Sequence, residues 1–329
     1  MNEALSELTN FCKSRAISED GLQAIIEKHG LSSFNRNGPH INYKFFHEAC
    51  HNAKSTEGII RYLFEHFPRA VRHVDEVGRL PLHNIFRERN NGLDELDRLL
   101  LGYPKTKHVT PGMVQLLIDA FPDSINVKDN NGCTPLQYFC LNNKNLDEDV
   151  ALEILKLIVK RYPNSVHQTD SSRGGLPICF AAAKQSPEFC RILIEAHPGS
   201  ERMTRSDGVL PFHLACIYNT VATVEYFYNL YPESINVAGW NGAYPIHWAI
   251  VAMKSGNDDA IKIVQFLLDC DPNVALQEHR GNSRFPGFVI TIMDSHSFIA
   301  MAPKAFRVAA SKSCVYYTMH IPKQSRTMT

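Results

Sequence analysis

Apolar residues in this chain fall into two interleaved registers, both anchored on proline. The first ends at Pro68, Pro122, Pro163, Pro198, Pro232 and Pro272. Nine, eight, five and four residues upstream of these stand Ile59, Ile60, Leu63 and Phe64; Met113, Val114, Leu117 and Ile118; Ile154, Leu155, Ile158 and Val159; Phe189, Cys190, Leu193 and Ile194; Thr223, Val224, Phe227 and Tyr228; and Ile263, Val264, Leu267 and Leu268. Spacing of i, i+1, i+4 and i+5 makes one broad apolar stripe on a helix. A helix is therefore predicted before each proline, which stops it by lacking an N–H and clashing with the preceding turn.

The second register recurs as GRLPLHNI at Pro81, GCTPLQYFC at Pro135, GGLPICFAA at Pro177, GVLPFHLAC at Pro211 and GAYPIHWAI at Pro245. An upstream cousin, YKFFHEAC, puts Phe45 in the proline position and keeps His47, Ala49 and Cys50. By difference of their numbers, successive positions lie 36, 54, 42, 34 and 34 residues apart, so the ground period is 34 and the long gaps are insertions. Between the registers, stretches such as INVKDNNG (Ile125 to Gly132) and INVAGWNG (Ile235 to Gly242) join β-branched residues to an N-G turn, which suits a short hairpin finger. A period near 33 with T-P-L-H-x-A marks the ankyrin repeat. The chain resembles ankyrin-repeat proteins over residues 37 to 280, with the threonine kept at Thr134 and replaced by Leu80, Leu176, Leu210 and Tyr244.

The resemblance implies an all-α solenoid of stacked helix pairs with short β-hairpin fingers, about six to seven repeats. Its units are expected near residues 37–70, 75–122, 129–163, 171–198, 205–232 and 239–272. Residues 1–36 carry two amphipathic patterns, Leu5, Leu8, Phe11 and Cys12, then Leu22, Ile25 and Ile26, and are expected to cap the array. Insertions at Asn90 to Thr110, Asn142 to Asp149 and Lys254 to Asp259 fall between the helices of a pair. From residue 284 the rhythm dissolves, and six basic residues face the single acid Asp294. There PGFVITIMDSHSF replaces the next helix, its β-branched run favouring extended structure, and the segment is expected to be an irregular basic tail outside the solenoid.

Overall charge narrows the partners. Lys plus Arg and Asp plus Glu are both 34 in 329 residues, which leaves no global basic field for nucleic acid or acidic membranes. No run approaches the length of a membrane span, and the start, MNEALSELTNF, is not a signal peptide. Nine cysteines without a C-x-x-C read as reduced thiols, pointing to cytosol or nucleus. Cys50, Cys140 and Cys216 share one repeat position and read as small core residues.

One motif matches a catalytic signature. His47, Glu48 and His51 spell H-E-A-C-H, which on a helix sets two imidazoles one turn apart for zinc with the glutamate as base. Yet His47 also occupies the repeat's own histidine position, shared with His83, His213 and His247, and neither a G-x-x-H continuation nor a third ligand follows. A histidine at a fixed point of a repeat is ordinarily a hydrogen-bonding post; in the ankyrin family it ties the hairpin to its helix. Gln137 and Cys179 replace it in two units. The resemblance therefore implies no enzyme, no cofactor and no metal, with a zinc hydrolase through His47 and His51, or a regulatory fragment of a larger multidomain enzyme, as alternatives.

What the family implies instead is a scaffold or adaptor that binds another protein on its concave face, lined by finger residues and two positions late in each first helix. Here those positions are Glu76, Arg79, Arg87, Glu88, Lys128, Asn130, Asn131, Leu141, Arg173, Lys184, Ser206, Ile217, Tyr218, Trp240, Asn241 and Val251. Trp240 stands out, because tryptophan is favoured at interface hot spots; Trp248, following a repeat histidine, is expected in inter-repeat core. The finger aspartate appears as Asp75 and Asp129, with Ser171, Arg205 and Gly239 in the matching places, so later fingers are expected to be less regular.

Overall fold

The computed structural model describes residues 2–31, 42–87, 109–143, 146–254, 257–277, 288–291 and 307–310. Its chain divides into two compact units, Met1–Ser200 and Glu201–Thr329. The fold is all-α and built of repeated helix pairs. In the first unit these are α1 (Asn2–Lys13) with α2 (Glu19–Lys28), α3 (Lys44–His51) with α4 (Glu57–His66), α5 (Pro81–Ile85) with α6 (Pro111–Ala120), α7 (Pro135–Asn142) with α8 (Glu148–Arg161), and α9 (Pro177–Lys184) with α10 (Pro187–Ala196). The second unit holds α11 (Pro211–Tyr218) with α12 (Val221–Leu230) and α13 (Pro245–Lys254) with α14 (Ala260–Cys270).

Both proline registers do what the sequence pattern predicts. Each first helix from α5 onward opens on its proline at the first helical position, where no N–H is needed. Each second helix from α4 onward is followed by a short 3-10 turn, from Pro68, Pro122, Pro163, Pro232 or Pro272, and from Ser200 after Pro198. In every second-helix stripe the first three positions are buried, from Ile59, Ile60 and Leu63 to Ile263, Val264 and Leu267. Side-chain caps fix several helix starts: Ser18, Thr56, Thr110 and Ser186 each accept from the backbone N–H three residues on.

Helices stack in order within each unit. In the first, α1 packs on α3, α3 on α5, α5 on α7 and α7 on α9, while α2 packs on α4, α4 on α6, α6 on α8 and α8 on α10. In the second, α11 packs on α13 and α12 on α14. Cys50, Cys140 and Cys216 are buried in this stack, and burial pushes the Cys140 and Cys216 thiols well above their ordinary range. A pairing along the edge links neighbouring 3-10 turns: the Arg72 guanidinium lies 4.4 Å over the Phe121 ring, His167 meets His197 at 4.0 Å, and Arg202 lies 4.8 Å over Tyr231. Asn236 donates to Asp271 at 3.2 Å in the same repeat position.

The fingers are turns rather than strand hairpins. Asp75 N–H donates to Arg79 O and Gly78 N–H to Asp75 O, at 2.9 and 3.0 Å. The same two bonds recur from Asp129, Arg205 and Gly239, and Gly78, Gly132, Gly208 and Gly242 supply the positive φ that closes each turn. The Arg205 finger keeps both bonds and its glycine despite the lost aspartate, whereas the Gly239 finger is wound as a 3-10 turn, Trp240–Gly242, with Asn241 at a positive φ of 56°, so the irregularity expected of later fingers appears in the last one. Ser171 is also not the third finger's aspartate equivalent. That finger has one extra residue, and Asp170 holds the place, its carboxylate accepting from the N–H groups of Ser172, Arg173 and Gly175. The strands present among the described residues, β1 (Phe288–Thr291) and β2 (Arg307–Ala310), pair antiparallel in the second unit, and β1 is the β-branched run read as extended. The Asn90 to Thr110 insertion lies outside the described residues except for Val109 and Thr110, and so does most of the sequence from residue 284 on.

Candidate functional site

Two kinds of polar residue recur in the array, those that bind it together and those that face outward. The repeat histidines belong to the first. His83 Nδ1 accepts from Leu80 N–H at 3.1 Å, and its Nε2 meets Cys133 O of the next finger at 3.1 Å. His213 repeats this with Leu210 N–H and Val237 O, and His247 with Tyr244 N–H and Gln277 O. Each ring thus ties its own helix start to the following finger, a longer reach than the hairpin-to-helix tie the resemblance implied. Both bonds require a neutral ring with its proton on Nε2. Burial keeps it so, pushing the His213 pKa down to about 4.

Gln137 is an amide copy of the same device. Its Oε1 accepts from Thr134 N–H at 2.7 Å, and its Nε2 donates to Gln168 O and Gly175 O at 3.0 and 2.9 Å. A second set of ties, not read from the sequence, uses an amide side chain after the first helix. Asn52 donates to Cys12 O, Gln185 to Cys140 O, and Asn257 to Ile217 O and Asn219 O, each reaching back one repeat. Their spacing from the repeat proline varies, so no fixed register flags them. The inserted segment after α13 also provides Asp259, which accepts from Val221 N–H at the start of α12.

His47, read as both post and zinc ligand, is buried, and its Nδ1 lies 2.9 Å from the Asn84 side-chain amide. Burial pushes its pKa down to about 4. Glu48 pairs with Lys13 at 3.6 Å, and among the described residues no group of three or more His, Cys, Asp and Glu is placed to hold a metal. His47 and His51 therefore lack a third ligand there. Trp248 is buried and meets the His213 ring edge-on at 5.9 Å, in the inter-repeat core expected for it.

The outward-facing candidates divide. In the first unit, Glu76, Lys128, Asn130, Asn131 and Arg173 are exposed on fingers, and Leu141, at the end of α7, is 39% exposed. Arg87 and Lys184 are half-buried at or just past the ends of α5 and α9. Arg79 is half-buried and holds Asp75 through Nε at 2.9 Å, so it braces its own finger. In the second unit, Ser206 and Asn241 are exposed, Tyr218 is 48% exposed, and Trp240 and Val251 are half-buried. Ile217 is a correction: at 6% exposure it belongs to the core, at the end of α11 where Asn257 binds its carbonyl. Glu88 lies outside the described residues. Exposed finger residues missed by the family positions are Val74, Val77 and Met203; nothing in the repeat alignment marks them, because apolar residues flank most fingers.

The family model for ankyrin repeats, in three copies, matches residues 178–278. Among solved structures, the chain is similar to the Bd0816 predatory endopeptidase of Bdellovibrio bacteriovorus in complex with immunity protein Bd3460. The likeness is 16% in identity over 67% of this chain and 96% of that one, with a TM-score of 0.45, and it bears on neither activity nor partner. No curated protein matches the sequence. With two proline registers, a histidine or glutamine tie between successive units and glycine-closed fingers all in place, the chain carries ankyrin repeats, matched by the family model over residues 178–278.

Proposed function

We propose that the protein is a non-enzymatic scaffold or adaptor that binds another protein through its fingers and first-helix ends. Ankyrin repeats are protein-interaction modules. The observation that supports this face is where large apolar side chains remain exposed. Of the six among the described residues, Val74, Val77 and Met203 flank or occupy fingers and Leu141 and Tyr218 end first helices, leaving only Ile261 on a second helix. Ile261 apart, within each unit these exposed apolar side chains fall on fingers and first-helix ends, which supports a partner being met there. The fingers are also preorganised by their backbone bonds and by the histidine ties, which lowers the ordering cost of binding.

The α1 and α2 pair serves as the N-terminal cap, since α1 packs on α3 and α2 on α4 as a preceding repeat would. The protein works in cytosol or nucleus: the eight described cysteines are all free thiols. No helix among the described residues is long and apolar enough to cross a membrane. The test is capture of the partner from a lysate of the native cells, repeated with Trp240→Ala and Tyr218→Ala. Each change should weaken binding by more than about 1 kcal/mol, the threshold for a hot-spot side chain. Unchanged affinity in the doubly substituted protein would move the site elsewhere.

A further inference from the structure

Four asparagines in the chain are followed directly by glycine: Asn37, Asn91, Asn131 and Asn241. Such a pair carries a chemistry of its own. The backbone nitrogen of the glycine can attack the asparagine Cγ, because no Cβ stands in the way of the approach. Asn37 and Asn91 lie outside the described residues, whereas Asn131 and Asn241 are exposed on fingers, and the two fingers hold them differently.

For that ring to close, the glycine N–H must leave its hydrogen bond and the peptide between the two residues must rotate, so the turn has to open. Both N–H groups are tied, Gly132 to Asp129 O at 2.8 Å and Gly242 to Gly239 O at 2.9 Å. Around Asn131 the tie is reinforced. The Asp129 carboxylate accepts from Asn131 N–H at 3.0 Å and from Cys133 N–H at 2.9 Å, and the Tyr138 hydroxyl donates to its other oxygen at 2.8 Å. Asn130 N–H donates to Val77 O of the preceding finger at 3.0 Å, and Gly132 is buried with Ser171 of the next finger against it. Around Asn241 the brace is lost, since Gly239 stands in the aspartate's place and offers no carboxylate. No described residue lies within 4 Å of the place a Gly242 Cβ would take. Asn241 itself sits at φ 56° and ψ 24°, the one non-glycine among the described residues at positive φ. That left-handed conformation is costly for an L-residue, and the other fingers leave it to glycine.

We propose that Asn241 is a site of spontaneous modification, closing on Gly242 to a succinimide that opens to aspartate or isoaspartate, while the braced finger protects Asn131. The Gly242 nitrogen forms a bond to Cγ of Asn241, the bond from Cγ to Nδ2 breaks, and the amide group leaves with the Gly242 proton as ammonia. Water then opens the ring. Hydrolysis of the bond from Cγ to nitrogen gives aspartate, and hydrolysis of the bond from the main-chain carbonyl carbon to nitrogen gives isoaspartate. The only co-reactant is solvent water. Either product adds a negative charge to the finger, next to Trp240 in the chain, and isoaspartate also lengthens the main chain and so alters the turn. The finger surface therefore changes with the age of the molecule, and this chemistry does not depend on whether a partner binds there.

The full chain is held at neutral pH and body temperature, sampled over weeks and digested in acid, and the peptides carrying Asn131 and Asn241 are followed by mass spectrometry, with isoaspartate separated by retention. A second sample is held unfolded in guanidinium chloride, where both fingers are open. In the folded chain Asn241 should convert about tenfold faster than Asn131, and in guanidinium the two rates should come within about threefold of each other. Asp129→Ala, checked by its melting curve, should raise the Asn131 rate in the folded chain by about fivefold and leave Asn241 unchanged. Should that variant fail to fold, Tyr138→Phe removes a single bond to the same carboxylate and should raise the Asn131 rate by about twofold. Conversion of Asn131 as fast as that of Asn241 in the folded chain overturns the proposal. So does an intact Asn241 in the folded chain over the time in which the unfolded chain converts, or an Asn131 rate that loss of the brace leaves unmoved.

Discussion

Two turns built to one plan differ at a single buried position. After α12 the turn Pro232–Asn236 buries Ile235, at 3% exposure; after α10 the turn Ser200–Arg202 puts Glu201 in the same place, at 9%. Val71, Ile125, Val166 and Ala275 fill that place in the other turns and are buried as well. Glu201 Oε1 lies 3.4 Å from Nε of Arg202, whose side chain is mostly in solvent, and Glu201 Oε2 is buried without a hydrogen-bond partner. The same repeat departs from the finger pattern too. Arg205 stands where Asp75 and Asp129 stand, and a carboxylate returns two residues later as Asp207, which accepts from Arg205 at 2.7 Å. Its position matters, because the chain divides into its two compact units between Ser200 and Glu201. A buried carboxylate with a weak partner costs stability where an apolar group would add it. The comparison teaches that the repeat pattern is strong enough to hold a frustrated residue in a core position, and that the division between units coincides with it.

Moving the odd residue is the harshest test. Ile235→Glu should lose about 3–5 kcal/mol in urea unfolding, the scale for an unpaired buried charge. A loss under about 1 kcal/mol would show that this position tolerates charge and that Glu201 is unexceptional.

Acid probes the histidine tie that the irregular repeat shares with its neighbours. His213 titrates near 4 in the folded protein and near 6.5 when unfolded, because burial opposes its charge. The unfolded chain therefore binds more protons below pH 6.5. Stability is full above that pH and falls as pH drops toward 4, by about 3 kcal/mol for this residue. His213→Gln should remove that part of the slope while keeping the tie, since Gln137 makes the same bonds two repeats earlier in the chain. An unchanged pH profile in His213→Gln would mean that other groups set it.

The reverse exchange has the smallest effect. Glu201→Ile should raise stability by about 1–2 kcal/mol, against the usual direction of a substitution in a native core. A lower melting temperature would mean that the carboxylate is satisfied and the two turns are equivalent after all.

Much of this was legible in the sequence because it is periodic. Prolines at both registers, the stripe from Ile59 to Leu267, the histidine positions and the core cysteines all follow from spacing alone. What was not legible depends on residues that leave the period. Asp170 escaped because one added residue shifts its finger, and Asn257 because an insertion carries it beyond the place held by Asn52 and Gln185. Ile217 was misplaced for a different reason: it keeps the period, but its helix position is open in α7, where Leu141 is exposed, and closed in α11. Glu201 could have been found, since it is the one charged residue in an apolar column, but burial was needed to show that the chain does not turn it outward.

Site-directed photo-cross-linking of the bound complex tests the central claim most directly. A photoreactive phenylalanine replaces Asn131 or Tyr218 on the finger and first-helix surface, or Lys156 or Arg191 on second helices, all four being exposed side chains. The account predicts that the partner is captured from Asn131 and Tyr218 and not from Lys156 or Arg191. Capture from Lys156 or Arg191 alone would contradict it and place binding on the second helices.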